Sequence, residues 1–119
     1  MKLLSFKELI VWQRSIELTQ EIYKASAQLP TKESFGLQSQ MRRAAVSIAS
    51  NIAEGKRRGT SKDFLQFLRI ADGSSAELET QILITELVYP GLDFKKSKSL
   101  LAEVQKMLAV MIKKIRATI

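Results

Sequence analysis

Apolar residues recur every third or fourth position through most of the chain, the spacing that lines one face of an α-helix. Four such runs stand between capping residues, glycines and prolines. In the first, Leu9, Trp12, Ile16, Thr19 and Tyr23 form an apolar stripe, and Ser5 with Glu8 three residues on is a capping box. The spacing predicts a helix from Phe6 to about Gln28, stopped ahead of Pro30. A second helix is expected to start between Thr31 and Ser34 and to end at Gly55 as a left-handed cap. At about 100° per residue, Leu37, Met41, Ala44, Ile48 and Ile52 share one face. Ser39, Arg43, Ser47, Ser50 and Glu54 lie roughly opposite.

Between those faces runs a ridge of Ala45, Ala49 and Ala53 with Val46 beside it, which calls for close approach by another helix or another subunit. Thr60 with Asp63 repeats the capping box and opens a third helix that ends at Tyr89, ahead of Pro90 and Gly91. Its stripe is Phe64, Phe67, Leu68, Ala71, Ser75, Leu78 and Ile82. From Ile82 to Val88 apolar residues wrap most of the way round, a second pointer to oligomerisation. Asp93 is placed to cap a fourth helix, where Leu101, Val104, Leu108, Met111 and Ile115 keep the 3,4 spacing. Short connections between four helices imply antiparallel neighbours, so the expected fold is all-α: one up-down-up-down four-helix bundle spanning residues 1–119.

Composition narrows the chemistry. The apolar share is 45% and the charged share 26%, an ordinary globular balance. The chain has neither cysteine nor histidine. That removes disulfides, thiol nucleophiles and the residues that most often bind zinc or act as acid and base near neutral pH. No apolar run approaches the roughly 18 residues that span a bilayer, and Met1 to Leu9 lacks the apolar centre of a signal peptide. The expectation is a cytoplasmic protein that is not an enzyme and needs no cofactor.

Nineteen Lys and Arg against twelve Asp and Glu leave a net charge of +7 and a pI near 9.9, in the range of nucleic-acid-binding domains. The densest cluster is Lys56, Arg57 and Arg58, with Lys62 and Arg69 after it and Arg42 and Arg43 before it. In an antiparallel hairpin these seven residues form a basic strip along one edge. Such a strip would bind phosphates with steep salt dependence and little sequence preference. The plainer alternative is that Lys56 to Arg58 complement the dipole at a helix end. Phe64 and Phe67 sit on the core stripe, where packing explains them better than base stacking does.

Other constellations fail on spacing. Gly55-Lys56 followed by Thr60-Ser61 lacks the GxxxxGK[ST] order of a phosphate loop. Glu77, Glu79 and Glu86 lack the histidines of a carboxylate-bridged metal bundle, and Glu77 and Glu79 lie about 160° apart around the helix. Nothing favours a Ser/Lys dyad. Lys113, Lys114 and Arg116 on an apolar terminal helix resemble a membrane-surface segment, but that stripe is needed to complete the bundle.

The stretch from Gly36 through Met41-Arg42-Arg43-Ala44-Ala45 to Ile48, followed by Ser50-Asn51-Ile52-Ala53-Glu54-Gly55, resembles the signature of the four-helix-bundle proteins encoded by intervening sequences in 23S ribosomal RNA genes. Val11-Trp12-Gln13, Phe67-Leu68-Arg69-Ile70-Ala71 and Gly73-Ser74 with Glu77-Leu78-Glu79-Thr80 match the same pattern, which covers roughly residues 6 to 89. The resemblance implies a bacterial homo-oligomer, a pentameric ring or barrel. The chain is also similar to the accessory proteins of diversity-generating retroelements, which bind a reverse transcriptase and its RNA template. Carried over, nucleic-acid contact falls on Arg42, Arg43, Lys56, Arg57, Arg58, Lys62 and Arg69. Asn51, Glu54, Glu77 and Glu79 become structural polar contacts.

Two functions follow as expectations. One is an oligomeric RNA- or DNA-binding accessory protein, in which five copies would carry roughly +35 and attract nucleic acid at low salt. The other is a scaffold that docks an acidic protein partner such as a reverse transcriptase without touching nucleic acid.

Overall fold

The computed structural model describes residues 5–119. A 3-10 turn at Phe6–Glu8 leads into α1 (Ile10–Ser26), and a second at Thr31–Glu33 leads into α2 (Leu37–Arg57). Then come α3 (Ser61–Val88) and α4 (Lys95–Ala117). Successive helices pack side by side, α4 closes back on α1, and the diagonal pairs approach less closely. Residue pairings set the directions. Gln28 meets Asp93 across α1 and α4, Ser47 meets Ser74 across α2 and α3, and Glu86 meets Lys98 across α3 and α4. Thr19 bonds the Ala45 carbonyl while Gln38 reaches Ser26, so α1 and α2 also run antiparallel. The result is the expected up-down-up-down bundle, a rod of 50 × 23 × 21 Å.

Leu18 and Ile22 of α1, Met41, Ile48 and Ile52 of α2, Leu68, Leu78 and Ile82 of α3, and Val104 and Leu108 of α4 meet at its axis, with Phe94 sealing one end. Burying each of the larger side chains contributes about 1.5–3 kcal/mol. The α2 stripe lies as the periodicity predicts: Met41, Ala44, Ile48 and Ile52 are buried.

The stripe of α1 does not. Val11, Ser15, Leu18, Ile22 and Ala25 point inward, whereas Leu9, Trp12, Ile16 and Thr19 are half-buried on the flank and Tyr23 is exposed. Ser15 enters the core because its hydroxyl bonds the Trp12 carbonyl at 2.7 Å, so no donor is left unpaired. The helix also starts later than the capping box implies. The Ser5 hydroxyl accepts from the Lys7 amide at 3.2 Å, closing a single turn, and Leu9 is extended at φ −73° and ψ 124°. This bend lets the Phe6 ring meet Trp12 edge-on, centroids 5.4 Å apart. On an unbroken helix the two side chains would lie about 120° apart around the axis.

Ala45 and Ala49 are covered within the chain, so that part of the alanine ridge serves neighbouring helices of the same bundle, while Ala53 is half-buried and Val46 exposed. The wrapped segment of α3 is different: Leu83, Ile84, Leu87 and Val88 stand 42% to 74% exposed. The N-cap of α4 is Phe94, one residue past the expected Asp93, whose carboxylate instead accepts from the first helical amide, that of Lys95, at 3.0 Å. Among the described residues no helix is long and apolar enough to cross a membrane. The stripe of α4 that resembles a membrane-surface segment is spent on the core through Leu101, Val104 and Leu108.

Candidate nucleic-acid interface

The turn between α2 and α3 is built by two glycines with different tasks. Gly55 is not the expected left-handed cap; it lies inside α2, buried against α3. A Cβ there would come 2.6 Å from the Phe67 Cβ and 3.1 Å from the Phe64 ring. Only a hydrogen at this position lets the two helices close so tightly. The left-handed residue is Gly59, at φ 88°. It frees Thr60 to cap α3, where the Thr60 hydroxyl oxygen accepts from the Asp63 amide at 3.1 Å and the hydroxyl donates to the Asp63 carboxylate at 2.9 Å.

Helix α2 therefore runs on through Lys56 and Arg57, and three successive cations each rest over an aromatic ring. The Lys56 Nζ lies 5.9 Å from the Phe64 centroid, the Arg57 guanidinium 5.8 Å from Phe6 and the Arg58 guanidinium 5.0 Å from Phe67. These are attractive separations for a cation above a π face. Arg58 also pairs with Glu54 at 2.9 Å, and that hydrogen bond raises its pKa. The Asp63 carboxylate accepts from the Thr60 hydroxyl. Phe64 and Phe67 thus pack and carry cations, in keeping with the sequence reading, and their faces are not free for bases.

The topology adds charges that the sequence strip omitted. Ile119, beyond the end of α4, lines one hollow with Lys62, Arg69 and Ile70. The last turns of α4 therefore arrive at the same end of the rod as the α2–α3 turn, bringing Lys113, Lys114 and Arg116, all exposed. Lys56, Arg57, Lys62, Arg69, Lys113, Lys114 and Arg116 take part in no ion pair among the described residues. The sequence carried the signal for the α4 contribution: a basic last turn in an up-down-up-down bundle must end beside the α2–α3 connection.

Arg42 and Arg43 leave the group. About 21 Å of helix separates Arg43 from Arg57. Arg42 turns toward α1, donating from Nε to the Ser26 hydroxyl at 2.9 Å and from Nη2 to the Tyr23 carbonyl at 3.0 Å, with its guanidinium 4.5 Å from the Tyr23 centroid. The seven predicted residues form a cluster of five at one end and a pair near the other, in place of one strip. Of the polar residues expected to be structural, Asn51 donates to the Ser47 carbonyl and hydroxyl, Glu54 holds Arg58 and Glu79 accepts from Gln105. Glu77 is exposed. No group of three or more His, Cys, Asp or Glu side chains among the described residues is arranged to hold a metal.

Fold and surface thus define a class, an all-α four-helix bundle with a cationic end. The profile described as 23S rRNA-intervening sequence protein matches residues 7–110, and the chain belongs to that family. It is similar to a protein of unknown function from the S23 ribosomal protein family of Bacteroides thetaiotaomicron, whose crystal structure was determined at 1.70 Å. The TM-score is 0.74 at 24% identity, over 87% of this chain and 99% of that one, a likeness that shows the fold. Comparison with curated proteins gives no match.

Proposed function

We propose that this protein is a non-catalytic, cytoplasmic accessory protein that binds RNA or DNA by its phosphates at the cationic end of the bundle, as a homo-oligomer. The observation that carries the reading is the convergence of three chain segments, 56–58, 62–69 and 113–116, at one end of the rod. Glu54 alone among nearby carboxylates forms an ion pair there. Cations presented on rings and helix ends, with no open aromatic face, suit backbone contact without base readout. Reversing Arg57 and Arg58 to Glu removes four units of charge per chain and is expected to cut affinity for a generic structured RNA at least tenfold in filter binding. The fold should persist, because both side chains are exposed. Unchanged affinity would defeat the proposal.

A second reading rests on the α3 surface of Leu83, Ile84, Leu87 and Val88, an apolar patch of the kind that marks protein contacts. In that reading the bundle is a scaffold for an acidic partner such as a reverse transcriptase. A partner retained from lysate after nuclease treatment would favour it over direct nucleic-acid contact.

A further inference from the structure

The pair that separates from the cationic end, Arg42 and Arg43, lines a hollow of about 520 Å³ near the opposite end of the rod. That volume is within the usual range for small-ligand sites. Its wall also includes Tyr23, Phe35, Gln38 and Ser39, and no carboxylate lines it. Phe35 is 99% exposed and Tyr23 46%. A phenylalanine wholly in water contributes nothing to the packing of the isolated chain, so both faces of its ring are open to a contact outside it.

The backbone around Phe35 is fixed. The Ser34 amide bonds the Thr31 carbonyl at 3.0 Å, and the Gly36 amide bonds the Glu33 carbonyl at 3.0 Å. Glu33 is itself held by the Tyr89 hydroxyl at 2.6 Å. Arg42 is equally fixed, clamped by Ser26 and the Tyr23 carbonyl with its guanidinium over the Tyr23 ring. Arg43 and Ser39 make no side-chain hydrogen bond or ion pair among the described residues, so a free cation and a free hydroxyl face the same hollow.

We infer that this hollow is a stacking site for an unpaired base of single-stranded nucleic acid. Phe35 and the Tyr23–Arg42 pair supply planar faces, Arg43 a phosphate contact, and the Ser39 hydroxyl a polar group for a base edge, beside Gln38, whose amide nitrogen is held by the Ser26 carbonyl and whose amide oxygen alone is open. Aromatic and guanidinium planes beside hydrogen-bonding side chains are what single strands need and what a paired helix cannot use. A purely apolar partner would leave Arg43 and Ser39 without partners, and a cationic one would meet two arginines. The inference rests on the reading that this protein binds nucleic acid, and it adds a preference for unpaired segments that the phosphate-binding end does not provide.

The test titrates the full chain, at one salt concentration, with an unstructured RNA of about 12 nucleotides and with a blunt duplex of the same length. Wild type, Phe35→Ala and Phe35→Trp are compared, with light scattering on each. Wild type is expected to bind the single strand more tightly than the duplex. Phe35→Ala should lose about tenfold on the single strand and nothing on the duplex, and Phe35→Trp should recover the loss. Phe35 is too exposed for its truncation to open a cavity. Equal single-strand affinity for wild type and Phe35→Ala, or an equal loss on both probes, would overturn the inference while leaving the phosphate-binding end intact. A changed subunit number in Phe35→Ala would also overturn it, making Phe35 a subunit contact. Binding of neither probe by wild type would bring down both readings.

Discussion

The two ends of the rod use the same residue types in opposite ways. At the end formed by the α2–α3 turn and the close of α4, cations outnumber their partners, and the aromatic rings beneath them serve as supports. At the other end more of the charges have partners: Lys98 pairs with Glu86, Lys96 with Glu21, Arg42 is bound to α1, and the Glu33 carboxylate accepts from Tyr89. Its exposed surface adds apolar and aromatic residues, Phe35, Leu87 and Val88, to scattered cations such as Lys24, Lys32, Arg43 and Lys95. One bundle therefore offers an electrostatic surface and a contact surface about a rod's length apart. A net charge of +7, read as a single number, conceals that division.

The largest effect that would break the comparison is at Gly55. Gly55→Leu forces a side chain into a space already filled by Phe67 and Phe64 and should destabilise the bundle by about 3 kcal/mol or more in chemical denaturation. It would spread the three cations with it. Stability equal to wild type would mean that the α2–α3 seam does not hold the basic turn in place. Next in size is the triple reversal of Lys113, Lys114 and Arg116 to Glu, three exposed positions. RNA affinity should fall about tenfold, comparably to reversal at the turn, while thermal stability stays near that of wild type. If α4 takes no part in the basic end, affinity will not change.

The smallest effect is at the other end. The hydrogen bond from Tyr89, followed by that from the Leu37 amide, lowers the Glu33 pKa, and the same pairing raises that of Tyr89. A carboxylate depressed on folding contributes stability that is complete above the ordinary glutamate range and is lost as pH falls through the lowered folded pKa. A phenol raised on folding contributes stability that is lost as alkaline pH rises past the ordinary tyrosine range. Tyr89→Phe should therefore lower Tm slightly at neutral pH and flatten its decline on acidification. A thermal scan across pH 2 to 7, bracketing the ordinary glutamate value, checks this. An acid profile identical to wild type would show that the contact contributes nothing to stability.

Much of the fold was legible because periodicity and capping are local. The α2 stripe and the Thr60 cap need only neighbouring residues to be recognised. The α1 stripe was misplaced for a physical reason. Trp12 and Tyr23 are the bulkiest residues of that segment, and bulk suggests burial. Yet the axis is reached through Ser15 and Ala25, small enough for close packing, while the large rings cover the flank. Gly55 and Gly59 bracket the same basic run; Gly59 takes the left-handed turn, and what assigns Gly55 to the helix seam is Phe67, a contact across the hairpin that no local pattern contains. The candidate site divided in the same way. The Lys56 to Arg58 cluster was visible as a run, but the arrival of α4 depends on topology, and the withdrawal of Arg42 depends on a ring one helix away.

The central claim is that nucleic acid is held by phosphate contacts at the cationic end. The most direct test is the salt dependence of RNA affinity for wild type and for the chain carrying Glu at 57 and 58. Each phosphate neutralised contributes about 0.7–0.9 to the slope of log affinity against log salt. A steep wild-type slope that becomes shallower by roughly 1.5–2 in the variant is the predicted result. Affinity insensitive to salt, or a slope unchanged by the reversal, would contradict the account.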